Sequence, residues 1–169
     1  PIQVGAGSIW SKIGATASSH FAVRNDGTVW GAGDGYGGLL GSPGAVSSPV
    51  QIGALTGWSQ VSTGDSHSMA MRTDGTLWVW GSNNTGQLGD SSLLSHNFPV
   101  QVGVLTNWSQ ITGVFSASTA IKTDNSLWVW GYNTSGQLGD NSITNRTSPV
   151  QVGALTDWLR VSAGVSHMV

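Results

Sequence analysis

Thr73 to Asp90 reads T-D-G-T-L-W-V-W-G-S-N-N-T-G-Q-L-G-D, and Thr123 to Asp140 reads T-D-N-S-L-W-V-W-G-Y-N-T-S-G-Q-L-G-D. This run decides the fold because it returns after 50 residues. Four tryptophans keep the same rhythm, at intervals of 48, 50 and 50 residues: Trp10, Trp58, Trp108 and Trp158. We therefore divide the chain into one partial and three full repeats: 1–48, 49–98, 99–148 and the partial 149–169.

Short strand signals fill each repeat. Ser66–Arg72 alternates small or polar residues with larger apolar ones, which is the period of a strand. Thr76–Trp80 places aliphatic residues on one face and two tryptophans on the other, as expected of a strand between neighbouring sheets. Asp74-Gly75 separates the two runs and predicts a two-residue type I′ hairpin turn. No stretch has a helical period and the chain contains no glutamate, so we predict an all-β fold.

The composition excludes several classes of function. Charged residues make up 8% of the chain, far below the roughly 25% of an average domain, and the net charge is −2. The six cations are scattered and form no basic stripe, so we expect no nucleic-acid partner. There is no cysteine for a disulfide or a thiol site. No apolar run reaches eighteen residues, so we expect no membrane-spanning helix.

The repeated motif resembles a known family. W-V-W-G-x-N-x-x-G-Q-L-G-D is followed by a loop, a P-V-Q-V segment, a tryptophan and a G-x-x-H segment, which occurs at Gly64–His67 and Gly164–His167. This order resembles the repeat of the regulator of chromosome condensation family. The resemblance implies a seven-bladed β-propeller in which repeats are offset from blades, so that adjacent repeats complete each sheet. About three and a half such repeats leave open edges, so we expect the chain to be an internal piece of a longer protein or to pair with other copies.

The departures from the motif concern residues that could have carried chemistry. In the third repeat, Val114 and Ala117 replace the glycine and the histidine of the G-x-x-H segment, so we interpret His67 as a structural residue. Asp65-Ser66-His67 contains the residue types of a hydrolase triad, but consecutive strand residues point to opposite faces.

The remaining candidate sites are weaker. The string Gly33-x-Gly35-x-x-Gly38 fits the dinucleotide-binding fingerprint, but that fingerprint needs a helix after the glycines and none is expected here. These glycines align with an ordinary blade turn. Asp90 and Asp140 lack the additional ligands of a calcium loop and are interpreted as turn caps. We therefore predict no catalytic residue, no cofactor and no metal site.

Variable loops are the better clue to function. Between each G-Q-L-G-type turn and the next P-V-Q segment, the sequences 42–48, 91–98 and 141–148 differ while their flanks repeat. A rigid scaffold with variable loops is typical of a recognition surface. The alternative is that these are tolerant surface loops without a partner. The candidate partner-binding residues are Leu93, Leu94, His96, Ile143, Asn145 and Arg146.

Three functional hypotheses follow. The first is a non-enzymatic propeller that binds a protein or a surface glycan, exposed outside the cell or on a virus particle, because the low charge and near-identical repeats resemble prokaryotic or viral members of the family. The second is a guanine-nucleotide exchange factor for a small GTPase, as the founding members of the family are. Those members use an inserted wedge and a basic tail, and neither occurs in these residues. The third is an inhibitor that docks on an enzyme.

Overall fold

The computed structural model describes residues 9–16, 18–41 and 44–162. Three four-stranded antiparallel sheets account for the strands of this part of the chain. The first sheet contains β1 (Trp10–Ala15), β2 (Ser19–Arg24), β3 (Val29–Gly33) and β4 (Val46–Gln51). The second contains β5 (Trp58–Thr63), β6 (His67–Arg72), β7 (Leu77–Gly81) and β8 (His96–Gln101). The third contains β9 (Trp108–Val114), β10 (Ala117–Lys122), β11 (Leu127–Gly131) and β12 (Arg146–Gln151).

Each sheet is a meander in which neighbouring strands follow one another in the chain. The outer strand of the first sheet crosses the boundary between repeats 1–48 and 49–98, because β4 begins at Val46 and ends at Gln51. The P-V-Q segment that opens a sequence repeat therefore completes the sheet of the preceding repeat. The expected all-β blade architecture is confirmed, with three blades in the described residues.

The hairpin between the second and third strands differs from the prediction. Arg72 N donates to Thr76 O at 3.1 Å and Gly75 N donates to Arg72 O at 3.0 Å, which leaves three residues in the loop instead of two. Gly75 has φ of +78°, whereas Asp74 is not among the residues with positive φ. This is a type I turn followed by a left-handed residue. The Asp-Gly pair fits both turn types, since each needs positive φ at the glycine, and the pair alone does not distinguish them.

The core lies between the sheets. Alternate residues of β2 and β3 meet the opposite face of the second sheet, and the second sheet meets the third in the same way. Trp80 and Trp130 are fully buried at equivalent places in these two layers. Both faces of β7 are consequently apolar, as the sequence indicated.

The first strands of the sheets lie closest to one another and define the inner side of the blades. Gln60 Nε2 donates to the carbonyl oxygen of Ser109 at 2.8 Å, which ties β5 to β9. Gln110 Nε2 donates in turn to the carbonyl oxygen of Leu159. The segment that follows Trp158 therefore runs along β9 as β9 runs along β5. The G-x-x-H segment at Gly164–His167 lies outside the described residues.

Candidate functional site

Two connections between third and fourth strands carry the predicted partner-binding residues. We call residues 82–95 loop A and residues 132–145 loop B. The sequence-based loops extended to Phe98 and Ser148, but β8 begins at His96 and β12 begins at Arg146. The candidate residues His96 and Arg146 therefore belong to strands and not to the loops. In the first blade, Ser42 and Pro43 lie outside the described residues and β4 begins at Val46.

A fully buried asparagine organises each loop. Asn83 Nδ2 donates to Asp90 Oδ1 and to the carbonyl oxygen of Ser92, each at 3.1 Å. Its Oδ1 accepts from the backbone N–H of Leu88 at 3.0 Å. Loop B repeats this arrangement around Asn133. One amide side chain thus satisfies donors and acceptors that a buried loop would otherwise leave unpaired.

The aspartates of G-Q-L-G-D close the loops, which agrees with their interpretation as turn caps. Asp90 Oδ1 accepts from the backbone N–H of Ser92 at 3.0 Å, and Asp90 Oδ2 pairs with His96 Nε2 at 2.8 Å. In loop B the same positions are Asp140 and Arg146, whose Nε donates to Oδ2 at 2.6 Å. Residues 96 and 146 therefore hold a carboxylate of their own loop.

Burial raises the pKa of Asp90 and of Asp140, but hydrogen bonds outweigh this effect and leave both pKa values below the ordinary range. For Asp140 these hydrogen bonds come from Ser142, Arg146 and Asn133. Both groups are therefore carboxylates at neutral pH. They act as fixed acceptors and not as proton donors.

The six candidate residues separate into two groups. His96, Asn145 and Arg146 belong to the loop framework, and Asn145 Oδ1 accepts from the backbone N–H of Asn133 at 2.8 Å. Leu93, Leu94 and Ile143 are exposed at 57%, 69% and 71%. The three apolar side chains are thus the most exposed of the six. The sequence did not distinguish these two groups, because exposure depends on which side chains form hydrogen bonds with the buried asparagine and the aspartate.

Loop A also locks the second sheet to the third. The carbonyl oxygen of Gln87 accepts from Trp130 Nε1 at 3.0 Å and from Ser118 Oγ at 2.8 Å. Leu88 is buried in the layer between the sheets. In the first blade the carbonyl oxygen of Leu39 accepts from Trp80 Nε1 at 2.7 Å, so the same lock joins the first sheet to the second.

His67 lies in the same interface and is fully buried. Its Nε2 is 2.8 Å from Ser118 Oγ. Burial lowers the pKa of His67 to about 4. In the second sheet His67 pairs with Gly81. The equivalent pairs are Ser19 with Gly33 in the first sheet and Ala117 with Gly131 in the third. The histidine is therefore replaced at this position in the other two sheets. His20, one place later, is exposed.

One face of the first sheet has an open apolar cavity of about 190 Å³. It is lined by Trp10, Ile13, Ala22, Trp30 and Pro49 among others. The equivalent faces of the second and third sheets are covered by leucines of the preceding blade, Leu40 and Leu88. No leucine is among the described residues that line this cavity.

Other classes of site find little support in the described residues. No group of three or more His, Cys, Asp or Glu side chains in this part lies close enough to hold a metal ion. No helix there is long and apolar enough to cross a membrane. Two of the four N-x-[ST] strings begin at Asn83 and Asn133, which are fully buried and cannot carry a glycan in the folded protein.

Comparison with known families identifies the repeat. Residues 26–71, 74–118 and 124–169 match the family model of the regulator of chromosome condensation (RCC1) repeat. The chain belongs to the RCC1 repeat family. A second model of the same repeat matches residues 58–87. No curated protein matches the chain.

Solved structures with the same fold include RCC1-type proteins. Human WBSCR16 superimposes with a TM-score of 0.88 at 23% identity, over 99% of this chain and 46% of its own. Prp20p from Saccharomyces cerevisiae, a structure described together with its binding to Gsp1p and histones, superimposes with a TM-score of 0.76 at 14% identity, over 86% of this chain and 38% of its own. At these identities the likeness shows the fold. The chain spans less than half the length of either structure.

Proposed function

We propose that this chain is part of a non-enzymatic RCC1-type propeller that binds a protein partner through the tips of loops A and B. One observation carries the proposal. His96, Asn145 and Arg146 are occupied in holding the loops, while Leu93, Leu94 and Ile143 remain exposed. Exposed apolar side chains on a rigid framework lose little conformational entropy when a partner covers them.

The proposed partner is a protein. The yeast Prp20p structure is described with Gsp1p and histones, and a second structure shows yeast RCC1 bound to Kap60, so this fold serves as a protein-binding surface elsewhere. A glycan is less suited to Leu93, Leu94 and Ile143, because sugar hydroxyls need polar partners and these side chains offer none. We propose, because of its low fraction of charged residues, that the propeller lies outside the cell or on a virus particle.

We further propose that the apolar face of the first sheet packs against another RCC1-type unit. The proposal follows from Leu40 and Leu88, which cover the equivalent faces of the other two sheets. That unit is supplied by further repeats of a longer chain or by another copy, and seven blades in one chain would close the ring.

A nucleotide-exchange assay separates the leading proposal from the exchange-factor alternative. Release of a fluorescent GDP analogue from a panel of small GTPases is measured with and without the protein. We expect the rate to stay at its intrinsic value. Any acceleration above the intrinsic rate would contradict the non-enzymatic proposal and favour the exchange-factor alternative. An enzyme-inhibitor role is tested in parallel by the activity of any enzyme partner recovered with the protein.

A further inference from the structure

A groove of about 250 Å³ lies between the second and third sheets. Its walls include Trp108 and Trp128 of the third sheet and Leu105 of the connection between the sheets. Ser91 and Ser148 stand at its edge, 3.0 Å apart between their hydroxyl oxygens. These two serines lie in the variable segments 91–98 and 141–148, so the groove borders the proposed binding loops.

The preceding interface shows what this groove accommodates. Phe98 occupies there the position that Ser148 occupies here, since each residue directly precedes the proline of a P-V-Q segment. The Phe98 ring lies against Gly41 of the first blade, so near that a Cβ on this glycine would be 3.2 Å from the ring. The ring of Phe98 thus borders the preceding interface while 57% of the residue stays exposed, and Ser148 leaves the same place at the next interface without a ring.

The walls of the groove are rigid. The rings of Trp108 and Trp128 meet edge to face with their centroids 6.2 Å apart. The Lys122 ammonium lies 3.5 Å from the centroid of Trp128 and 5.0 Å from that of Trp108, so a cation holds both rings. Trp128 Nε1 also donates to Ser126 Oγ at 2.8 Å. A preformed aromatic wall of this kind favours a flat apolar group.

The polar atoms around the groove are largely satisfied. Asp90 Oδ1 accepts from Asn83 and Ser92, and Oδ2 is paired with His96. The Ser91 and Ser148 hydroxyls are bonded to each other. A sugar would have to replace these bonds, whereas an apolar ring leaves them intact.

The indole N–H of Trp108 lacks a hydrogen bond that the equivalent tryptophan of the second sheet, Trp58, makes. Trp58 Nε1 donates to the carbonyl oxygen of Leu55 at 3.0 Å. Trp108 Nε1 is buried and has no acceptor.

We propose that the groove between the second and third sheets binds an aromatic side chain of a protein partner, in the position that Phe98 takes at the preceding interface. The proposal deepens the proposed function, since it rests on these loops forming a protein-binding surface. It adds a specificity pocket: a peptide segment with an exposed phenylalanine, tyrosine or tryptophan is the chemistry that fits.

The test uses N-acetyl-phenylalaninamide as the probe and follows the tryptophan indole N–H signals by NMR. We expect saturable shifts of the Trp108 and Trp128 signals with a dissociation constant of about 1 mM, a value typical of a single small group. N-acetyl-alaninamide is the matched control and should give no saturable shift. Saturation by methyl glucoside in the absence of any effect of the aromatic probe would overturn the proposal in favour of a glycan.

Three variants make the test specific. Ser148→Phe supplies the missing ring and should weaken probe binding at least tenfold, whereas Ser148→Ala keeps the groove open and should bind as the wild type does. Phe98→Ser removes the ring that borders the preceding interface and should create a new saturable shift at Trp58 and Trp78. An unchanged affinity in a folded Ser148→Phe protein, or no shift in the wild type, would refute the proposal. The probe needs no biological partner, so its failure is distinct from a failure of the loop tips to bind one.

Discussion

His67 of the second sheet donates a hydrogen bond from Nε2 to Ser118 Oγ of the third sheet at 2.8 Å. The direction is fixed by chemistry, because the single hydroxyl proton of Ser118 is directed to the carbonyl oxygen of Gln87. Nδ1 of the same imidazole is buried without a partner. A neutral histidine therefore bridges two blades, and its protonation would place an uncompensated charge in the interface.

This bridge predicts a pH-dependent stability. The unfolded chain takes up a proton near pH 6.5 and the folded protein only near pH 4. The stabilisation is therefore fully present above pH 6.5 and is lost as the pH falls towards 4. Between pH 7 and pH 5 we expect the free energy of unfolding to fall by about 2 kcal/mol through this group. Urea unfolding at the two pH values measures the change.

His67→Gln should remove most of that pH dependence, although it also lowers stability at pH 7. The exposed His20 supplies the control, and His20→Gln should retain the wild-type slope. Parallel pH profiles for the His67→Gln variant and the wild type would show that the imidazole is not held neutral in the fold.

Gly89 and Gly139 form a matched pair that measures how tightly a loop docks on the next blade. Both have positive φ, +69° and +64°, at the same position of G-Q-L-G-D. A Cβ on Gly89 would come 2.5 Å from Trp130 Nε1, whereas a Cβ on Gly139 would meet no atom within 4 Å. We expect Gly139→Ala to cost about 1 kcal/mol from backbone strain.

Gly89→Ala should cost a further 1–3 kcal/mol or so, the usual range for overpacking. The difference between the two free energies of unfolding is the informative quantity. Equal losses would mean that loop A does not pack on the third sheet as described.

Asp140 is predicted to stabilise the protein through loop B. Asp140→Ala removes the acceptor for Asn133, Ser142 and Arg146 and leaves the buried asparagine amide without one partner. We expect a loss of roughly 2 kcal/mol in the free energy of unfolding at pH 7. The lowered pKa means that this contribution is present above pH 3.8 and disappears at lower pH. Thermal or urea unfolding provides the measurement, with the exposed Asp65→Ala as a control expected to change stability by less than about 0.5 kcal/mol.

The second and third strands of a blade followed from the sequence because the pattern that specifies them is local. Alternation and the repeated W-V-W-G run place β6 and β7 within one residue of the predicted runs. The two-residue turn at Asp74-Gly75 was wrong, since a glycine with positive φ serves two kinds of hairpin. The loops were also predicted too long, because His96 and Arg146 pair with Gly81 and Gly131 and so belong to strands.

The loop framework was missed although its signal was present. Asn83 and Asp90, like Asn133 and Asp140, are seven residues apart inside the repeated run. We interpreted the aspartates only as turn caps and assigned no role to the asparagines. The asparagine is buried and donates to the aspartate only because the loop folds back on itself. No local sequence pattern indicates this folding. The groove beside Ser148 was likewise invisible, since it appears only when two blades are set side by side.

We propose that the exposed apolar tips bind a partner while the polar framework supports the fold. The most direct measurement compares partner affinity and melting temperature for the wild type and a variant with Leu93, Leu94 and Ile143 changed to serine. With a partner captured and purified to test direct binding, we predict at least a tenfold loss of affinity and a melting temperature within about 2 °C of the wild type, because these side chains are exposed. Unchanged affinity in the folded variant would contradict the claim.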